Sequence, residues 1–347
     1  MKRHRESTVS NADNGLACGV RDREIMLDKI SRGGIENRIS NQNERRMNMR
    51  RILILVFAGF LALSTGALAA PESKLIGDAH SIDTNYAGPF NMNLEKWFAA
   101  HPMEPGKAMR MEPIFQTPRV TVMATANKGQ AVDLHYHRFV DEIAFVIKGQ
   151  CEKYVDGKWV LVKPGTVHYN PRGVIHATRA VGNEPLLELT IFTPSPPPND
   201  RVFLNSEITT AKAGVVVGDW SLLDTQHKKG YNINLDEWYA DHPIAAGQTF
   251  RIDAAIGTLR NQLMIAQRPS LAVHYHGSAD EMIYTYKGLG EMYINGEWVK
   301  LYPGDIHFCS RGYIHGIHPA GDGEFKIFAV FTPPQAGGSD RVFVDLK

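Results

Sequence analysis

The sequence predicts an all-β protein built from two tandem copies of one small barrel or sandwich domain, each preceded by a short helix. One observation is an internal repeat that runs through most of the chain. A second is a series of short β-rich runs, separated by turn residues, within each copy. The composition agrees, because 347 residues with 43% apolar and 22% charged side chains suit a soluble globular protein of about two domains.

The repeat is recognised from matched segments that recur at nearly one offset, between 139 and 141 residues. Four matched pairs define it: Asn91–Trp97 with Asn232–Trp238, His135–His137 with His274–His276, Gly157–Trp159 with Gly296–Trp298, and Asp200–Phe203 with Asp340–Phe343. This period is far longer than a solenoid repeat, so it indicates duplication of a whole domain. We place the two domains at residues 75–205 and 215–347.

Each copy reads as strands joined by tight turns. The first copy has β-rich runs at Ile143–Ile147, Glu152–Val155 and Trp159–Val162. Asp156-Gly157 separates the last two runs, and Asn295-Gly296 occupies the matching place in the second copy. Such dipeptides between β-rich runs predict two-residue hairpins, and regular short strands are typical of a small barrel or sandwich.

A short helix is predicted before each barrel. Asn93 and Asn234 each precede an apolar stripe with an early acidic residue, and a proline follows within nine residues. Asparagine is a favourable helix N-cap, and proline cannot continue a helix. We expect Trp97 and Trp238 within these helices to serve packing rather than chemistry.

The N-terminal region carries a predicted secretory signal over residues 47–69. Arg50 and Arg51 precede an uncharged run of 19 residues, Ile52–Ala70, with small residues at Ala67 and Ala69 before the expected cleavage point. This pattern predicts a periplasmic or secreted protein. The alternative is an uncleaved membrane anchor, because the run is just long enough to span a bilayer.

Residues 1–46 are polar and rich in arginine and asparagine, without an apolar period. Two interpretations stay open for this segment. It either lies upstream of the true start, at Met47 or Met49, or forms a disordered extension.

Charge and cysteine content exclude several classes. Residues 70–347 carry a net charge of −4, which argues against a basic nucleic-acid-binding face. Three cysteines exclude a disulfide-rich scaffold and a four-cysteine zinc module. Cys151 and Cys309 fall at non-equivalent positions, so nothing supports a disulfide between them. We expect a small-molecule partner, and a homo-oligomer is left open.

The chemistry-bearing residues form a matched pair of metal-ligand sets. Histidines two apart on a strand share a face, so both imidazoles can reach one ion. The first set is His135, His137, Glu142 and His176; the second is His274, His276, Glu281 and His315. Three imidazoles and one carboxylate suit a divalent transition metal, Mn or Fe first, with Cu, Ni and Zn also compatible, at up to two ions per chain. The alternative is hydrogen-bonded core histidines.

These residues and their spacing resemble both motifs of the cupin superfamily, G-x5-H-x-H-x4-E-x6-G and G-x5-P-x-G-x2-H-x3-N. The resemblance covers most of residues 120–193 and 260–332. Four positions depart from the motifs: Ala180, Arg268, Ser310 and Pro319. None of the four is a ligand position. The resemblance implies a secreted bicupin, in which each copy is a jelly-roll-like double-stranded β-helix that encloses its own metal.

His168 and His307 are a further equivalent pair. If Pro171–Gly173 turns a hairpin, His168 lies directly opposite His176 and points inward beside the metal. We expect a role for both in proton transfer near the ligands, with a structural hydrogen bond or direct ligation as alternatives. Their ordinary pKa of about 6.5 would suit proton transfer at neutral pH. Glu142 and Glu281 are candidate bases as well as ligands.

Three functions stay open. The first is a metal-dependent, dioxygenase-like oxidoreductase of a small oxygenated or acidic organic substrate, resembling the bicupin flavonol dioxygenases. The second is a manganese-dependent decarboxylase or oxidase of a small carboxylic acid. Oxalate decarboxylases place a substrate-binding arginine three residues before the HxH motif, where this chain has Val132 and Leu271, which weakens that resemblance. The third is a non-catalytic metal or small-ligand binder.

Overall fold

The computed structural model describes residues 89–204, 217–223, 229–335 and 340–345, all within a compact unit spanning Ser73–Lys347. The signal segment and the extension over residues 1–46 lie outside the described residues. Across the described ranges, none of the helices has the length and apolar character needed to cross a bilayer.

The first half of the described chain contains one helix and eleven strands. The helix is α1 (Leu94–Ala100). The strands are β1 (Phe90–Asn93), β2 (Met109–Gln116), β3 (Thr121–Asn127), β4 (Ala131–His137), β5 (Asp141–Lys148), β6 (Gln150–Val155), β7 (Lys158–Val162), β8 (Thr166–Asn170), β9 (His176–Val181), β10 (Leu186–Thr193) and β11 (Arg201–Phe203).

The second half repeats this order after a 3-10 turn at Trp220–Leu222. Its helix is α2 (Leu235–Asp241). Its strands are β12 (Tyr231–Asn234), β13 (Arg251–Gly257), β14 (Gln262–Gln267), β15 (Leu271–His276), β16 (Asp280–Gly288), β17 (Gly290–Ile294), β18 (Glu297–Leu301), β19 (Asp305–Cys309), β20 (His315–Pro319), β21 (Phe325–Thr332) and β22 (Arg341–Phe343).

The chain forms two barrels, each from one large and one small antiparallel sheet. In the first barrel the large sheet has the order β12-β8-β5-β10-β3-β2, and the small sheet has the order β11-β4-β9-β6-β7. In the second barrel the corresponding orders are β1-β19-β16-β21-β14-β13 and β18-β17-β20-β15-β22. The expectation of an all-β chain with two jelly-roll-like barrels, each preceded by a short helix, is confirmed.

The two barrels exchange their first strands, which the sequence did not indicate. Strand β1 precedes the first barrel but pairs with β19 of the second, while β12 precedes the second barrel but pairs with β8 of the first. The exchange places Asn91 opposite His307 and Asn232 opposite His168. Each barrel therefore receives one strand from the other half of the chain, and an asparagine of that strand lies opposite His168 or His307.

The main hydrophobic core lies between the two large sheets. Alternate residues of each large sheet point away from their own barrel and pack against the other, as Phe145 does against Tyr284 (ring centroids 4.7 Å apart) and Phe328 (5.1 Å apart). The opposite faces of the same sheets line the barrel interiors. The core therefore joins the barrels and leaves both interiors available for chemistry.

Local structure follows the predicted signals. Asp156 and Gly157 have positive φ angles of 51° and 79°, and Asn295 and Gly296 have 52° and 91°, as two-residue hairpin turns of this type require. Asn93 caps α1 by accepting a hydrogen bond from the Lys96 backbone N–H at 3.1 Å. Its amide also donates to Asp305 of the second barrel at 2.8 Å, so the cap fixes the exchanged segment as well.

Candidate metal centres

The ligands of the first centre come from both sheets of the first barrel. His135 and His137 lie on β4, and His176 lies on β9 directly opposite His135. Glu142 lies at the start of β5 in the large sheet. Because residues two apart on a strand, and residues directly opposite across strands, share a face, the three imidazoles project together toward the carboxylate.

The second centre is built from the equivalent elements. His274 and His276 lie on β15, His315 lies on β20 opposite His274, and Glu281 lies near the start of β16. All eight side chains are buried. The duplicated spacing in the sequence therefore becomes duplicated geometry.

Every one of the six imidazoles is held through its Nδ1 atom by an oxygen acceptor. The acceptors are Asp133 O for His135 (2.7 Å), Asp200 Oδ2 for His137 (2.5 Å), Val174 O for His176 (2.9 Å), Ala272 O for His274 (2.7 Å), Asp340 Oδ1 for His276 (2.6 Å) and Tyr313 O for His315 (3.0 Å). Carbonyl and carboxylate oxygens only accept, so Nδ1 carries a proton, and Nε2 is the atom that offers a lone pair to a metal when the ring is neutral.

The Nε2 atoms are the ones left for a metal. Five of the six imidazoles have a buried Nε2 without a hydrogen-bond partner among the described residues: His135, His176, His274, His276 and His315. A buried polar atom without a partner is costly, and one cation bound in each centre would satisfy these five atoms. The donor set therefore fits a divalent transition metal, and both clusters could hold one.

In the first centre the carboxylate belongs to the cluster. One ligand atom from each of His135, His137, Glu142 and His176 lies within 4.8 Å of every other. Glu142 Oε2 is 3.2 Å from His137 Nε2 and 3.5 Å from His176 Nε2. All four sequence-predicted ligands of this barrel are brought together.

In the second centre three imidazoles cluster and the carboxylate lies beside them. His274, His276 and His315 meet the same 4.8 Å limit. Glu281 Oε2 is 2.9 Å from His315 Nε2 and 3.6 Å from His276 Nε2. The carboxylate therefore contacts two of the three imidazoles.

Asp200 and Asp340 complete the centres and were not among the predicted site residues. Each accepts the Nδ1 proton of the second histidine of its HxH pair. Asp200 Oδ1 also accepts from the Phe139 backbone N–H at 2.7 Å, and Asp340 Oδ2 accepts from Ser278 N at 2.9 Å. The repeated Asp-Arg-Val-Phe segment was the signal in the sequence that marked both aspartates.

The pKa values of the imidazoles depend on whether a carboxylate lies beside them. Burial would lower the pKa of His276, but its hydrogen bond with Asp340 and the nearby Glu281 carboxylate raise that pKa to about 9. In the same way, Asp200 and Glu142 outweigh the effect of burial and raise the pKa of His137. Burial, with the neighbouring His315, lowers the pKa of His274 to about 3, and His135 is lowered in the same way with His176 as its neighbour.

The acidic ligands are held ionised despite their burial. Burial alone would raise the pKa of Glu142 and of Glu281. The adjacent imidazoles outweigh this effect and lower both pKa values well below the ordinary range. Both carboxylates are therefore anionic at neutral pH and can act as ligands or as proton acceptors.

His168 and His307 point into the barrels, but not through the predicted hairpin. Strand β8 belongs to the large sheet and β9 to the small sheet, so His168 is not opposite His176, and that prediction was wrong. His168 instead lies opposite Ala144 and Asn232, and its Nδ1–H donates to Asn232 Oδ1 at 2.7 Å. Since Glu142 shares the Ala144 face of β5, His168 faces the same interior as the ligands.

The two inward histidines are neutral at physiological pH. Burial lowers the pKa of His168 and of His307 to about 3. Their Nε2 atoms are buried and without a hydrogen-bond partner in the described ranges, as is Nδ1 of His307. The expected pKa near 6.5 therefore does not describe either residue in the folded protein. Their proposed role in proton transfer stays a prediction.

Cross-barrel ion pairs hold the start of each glutamate-bearing strand. Asp141 precedes Glu142, is fully buried, and accepts from Arg260 Nε of the second barrel at 2.8 Å. Asp280 precedes Glu281, is equally buried, and pairs with Arg119 of the first barrel. The position of each metal-facing carboxylate is thus tied to the opposite barrel.

Comparison with known proteins agrees with this fold and ligand pattern. The family model described as the Cupin domain matches residues 122–192 and 263–331, one match in each barrel. The chain belongs to the cupin family, as a bicupin.

Two curated relatives are similar over part of the chain. An uncharacterized protein of Aquifex aeolicus is 31% identical over 86 residues, which are 25% of this chain and 69% of the relative. Quercetin 2,3-dioxygenase of Bacillus subtilis is 24% identical over 228 residues, which are 56% of this chain and 67% of the relative.

Solved structures share the architecture at low sequence identity. A salicylate 1,2-dioxygenase mutant from Pseudoaminobacter salicylatoxidans, in complex with gentisate, matches with a TM-score of 0.56 at 12% identity, covering 82% of this chain and 91% of that chain. A cupin 2 conserved barrel protein from Leptotrichia buccalis matches with a TM-score of 0.50 at 11% identity, covering 73% and 99%. These likenesses establish the fold.

Proposed function

We propose that this protein is a metal-dependent oxidoreductase, dioxygenase-like, that acts on a small oxygenated or acidic organic molecule. The observation that carries the proposal is the convergence of three imidazole Nε2 atoms and an ionised carboxylate inside a barrel, next to an internal cavity. The similarity to a quercetin 2,3-dioxygenase supports the same class of chemistry.

The donor set suits manganese or iron best among the ions considered, and copper, nickel and zinc are compatible. Three neutral imidazoles and one carboxylate leave a divalent ion with a net charge of +1, which favours an anionic oxygen of the substrate. A bound ion of this kind would act as a Lewis acid and lower the pKa of a hydroxyl group that reaches it.

The protein's own residues supply the remaining functions. Glu142 is ionised and buried, so it can bind the ion and accept a hydrogen bond from a substrate hydroxyl; its role as a base belongs to the proposal. His168 is held by Asn232 with a free Nε2 lone pair toward the interior, so it can accept a hydrogen bond from the substrate. Both side chains are buried, so little bulk water reaches them.

A second candidate is a manganese-dependent decarboxylase or oxidase of a small carboxylic acid. The cavity beside the first centre favours it, because its volume is about 30 Å³, room for about two water-sized groups. Val132 lines this cavity at the position where the oxalate-type enzymes have their arginine, which counts against oxalate itself.

We also propose that the protein is exported to the periplasm or secreted, on the strength of the segment Arg50–Ala69. Cell fractionation with N-terminal peptide sequencing tests this. A mature N-terminus at Ala70 supports export. Full-length protein confined to the cytoplasm would exclude it.

The function is tested on protein purified from the periplasm, first by elemental analysis and then by turnover. The substrates are flavonols, catechols, diketones and small dicarboxylates, with oxygen uptake and carbon dioxide release followed in parallel. Oxygen uptake that is lost in the double variant Glu142→Gln/Glu281→Gln supports the proposal. Carbon dioxide release without oxygen uptake moves the assignment to the decarboxylase. Tight retention of unmodified ligands, with no turnover, identifies a binding protein.

A further inference from the structure

The interiors of the two barrels differ although their metal-facing residues match. Six equivalent positions change from mostly polar in the first barrel to apolar in the second: Lys153 to Met292, Thr178 to Ile317, Glu188 to Ile327, Thr190 to Ala329, Thr125 to Ala266 and Ala144 to Ile283. The duplication has therefore kept both ligand sets but only one polar interior.

Strand pairing establishes this equivalence independently of the sequence offset. Lys153 lies opposite Thr178, as Met292 lies opposite Ile317. In the large sheets, Glu188 lies opposite Thr125, as Ile327 lies opposite Ala266. Equivalent positions in the two barrel interiors thus carry polar side chains in the first barrel and apolar side chains in the second.

The second interior is packed with hydrocarbon. Met292, Ile317 and Ile327 belong to one buried cluster that also includes Ile283, Ala266 and Ala329. Met292 is fully buried, and Ile317 and Ile327 are 3% and 4% exposed. Such packing stabilises the barrel and offers no hydrogen bond to a ligand that approaches the second centre.

The first interior holds a buried ion pair. Lys153 is 1% exposed, and its Nζ donates to Glu188 Oε1 at 2.5 Å and to Thr178 Oγ1 at 2.8 Å. An ammonium group has three N–H donors, so these two acceptors leave one N–H without an acceptor among the described residues. Lys153 and Glu188 line the 30 Å³ cavity together with His135 and Glu142 of the metal centre.

Stability does not explain the ion pair. Removing two charges from water is costly, and replacing a buried pair by well-packed apolar side chains is often neutral or stabilising. The second barrel contains that apolar replacement at the same positions. The charged arrangement in the first barrel therefore points to a ligand rather than to the fold.

We propose that binding and chemistry are confined to the first barrel, where Lys153 anchors a carboxylate of a small substrate beside the metal centre, while the second centre is structural. The chemical part of this proposal rests on the proposed function, whereas the binding of a carboxylate by Lys153 does not. Glu188 and Thr178 orient the ammonium group, and its third N–H donates to the carboxylate oxygen.

The test uses the full chain loaded with Co(II), whose visible absorption reports ligands that reach the metal. His276→Ala leaves cobalt only in the first barrel, and His137→Ala leaves it only in the second. Formate and oxalate are titrated into each. We expect the anions to change the spectrum of the first-barrel cobalt and to leave that of the second-barrel cobalt unchanged.

A matched variant then gives the first interior the side chains of the second: Lys153→Met/Thr178→Ile/Glu188→Ile in the His276→Ala background. We expect unchanged cobalt content and anion affinity lowered about 10- to 100-fold, the loss typical of one charge-assisted hydrogen bond. If the triple variant does not fold, Lys153→Met/Glu188→Gln removes both charges with side chains of similar size. Met292→Leu in wild type is the control and should change neither quantity.

Equal anion responses from both cobalt sites would overturn the proposal, as would full affinity in the folded triple variant. Because no turnover is measured, these outcomes are independent of the substrate panel. Anion binding in a protein that is inactive on every substrate would reject the proposed function and leave the anchoring role of Lys153 intact.

Discussion

Asp200 and Asp340 act on the metal centres without facing them. Each carboxylate fixes the ring orientation of one histidine and holds a proton on its Nδ1, so the Nε2 atom already faces the metal position before any ion arrives. Partners of this kind raise the basicity of the ligand, and their loss typically costs 10- to 100-fold in metal affinity.

Asp200→Asn should lower the metal affinity of the first centre by about 10- to 100-fold, because a neutral amide holds His137 less firmly and stabilises the bound cation less. Chelator competition monitored by metal analysis measures this. Asp340→Asn is the matched control and should affect only the second centre. Equal losses at both centres from either substitution would contradict independent sites.

The second centre should bind metal more tightly as the pH rises from 7 to 9. In the metal-free protein the pKa of His276 is raised to about 9, so its imidazole is protonated at pH 7 and must lose a proton to bind. Affinity should rise about tenfold per pH unit and level off above pH 9. Competition titrations of His137→Ala measure this, and an affinity that does not change with pH would refute it.

The same raised pKa acts on the stability of the metal-free fold in the opposite direction. The unfolded pKa is about 6.5, so the stabilisation from protonated His276 is complete below that pH and is lost as the pH rises through 9. Through His276, a rise in pH from 7 to 9 therefore increases the metal affinity of the second centre and decreases the folding stability of the metal-free protein.

At the scale of elements, the cross-barrel arginines connect strand position to the metal ligands. Asp141 is fully buried and accepts hydrogen bonds from Arg260, from Thr258 Oγ1 at 2.7 Å and from the Arg172 backbone N–H at 2.9 Å. Arg260 supplies a positive charge from the second barrel that balances the Asp141 carboxylate.

Arg260→Met should destabilise the protein by about 3–5 kcal/mol, because it leaves a buried carboxylate without this counter-charge. Urea unfolding of the metal-free protein measures the loss. Arg119→Met is the matched change on the other side and should cost less, since Asp280 keeps Arg311 Nε at 3.3 Å. A change of under 1 kcal/mol for Arg260→Met would show that the pair is not important for stability.

Sequence patterns predicted the elements that depend on local chemistry. The hairpins follow from Asp156-Gly157 and Asn295-Gly296, and the helix starts follow from the Asn93 and Asn234 caps. The ligand sets follow from spacing on strands. Strand exchange was not predictable, because pairing partners more than 60 residues apart leave no periodic signal in the strands themselves.

The wrong prediction that His168 lies opposite His176 also arises because the local sequence does not show which strands pair. A Pro-Arg-Gly turn between two strands suggests a hairpin, but here the chain crosses from the large to the small sheet at that turn. The different interiors, by contrast, were visible in the sequence. Lys153 against Met292 and Glu188 against Ile327 appear as soon as the two copies are aligned at the repeat offset.

At the scale of the whole molecule, neither barrel is complete within its own half of the chain. Residues 89–204 expressed alone would lack β12 and expose the face that packs on the second barrel; residues 217–345 alone would lack β1. We expect each half to be insoluble or aggregated, and co-expression to give a soluble 1:1 complex that binds two metal ions. Size-exclusion chromatography with metal analysis measures this, and a stable monomeric half would contradict it.

The reciprocal exchange of β1 and β12 also bears on the ancestry of the molecule. Two identical single-barrel subunits that swap an N-terminal strand form a closed twofold dimer, and fusing their genes gives the topology seen here. Such a homodimer would carry the same interior twice, since every mutation appears in both subunits. Fusion removes that constraint: one copy becomes free to fill its interior with hydrocarbon while the other keeps its charges.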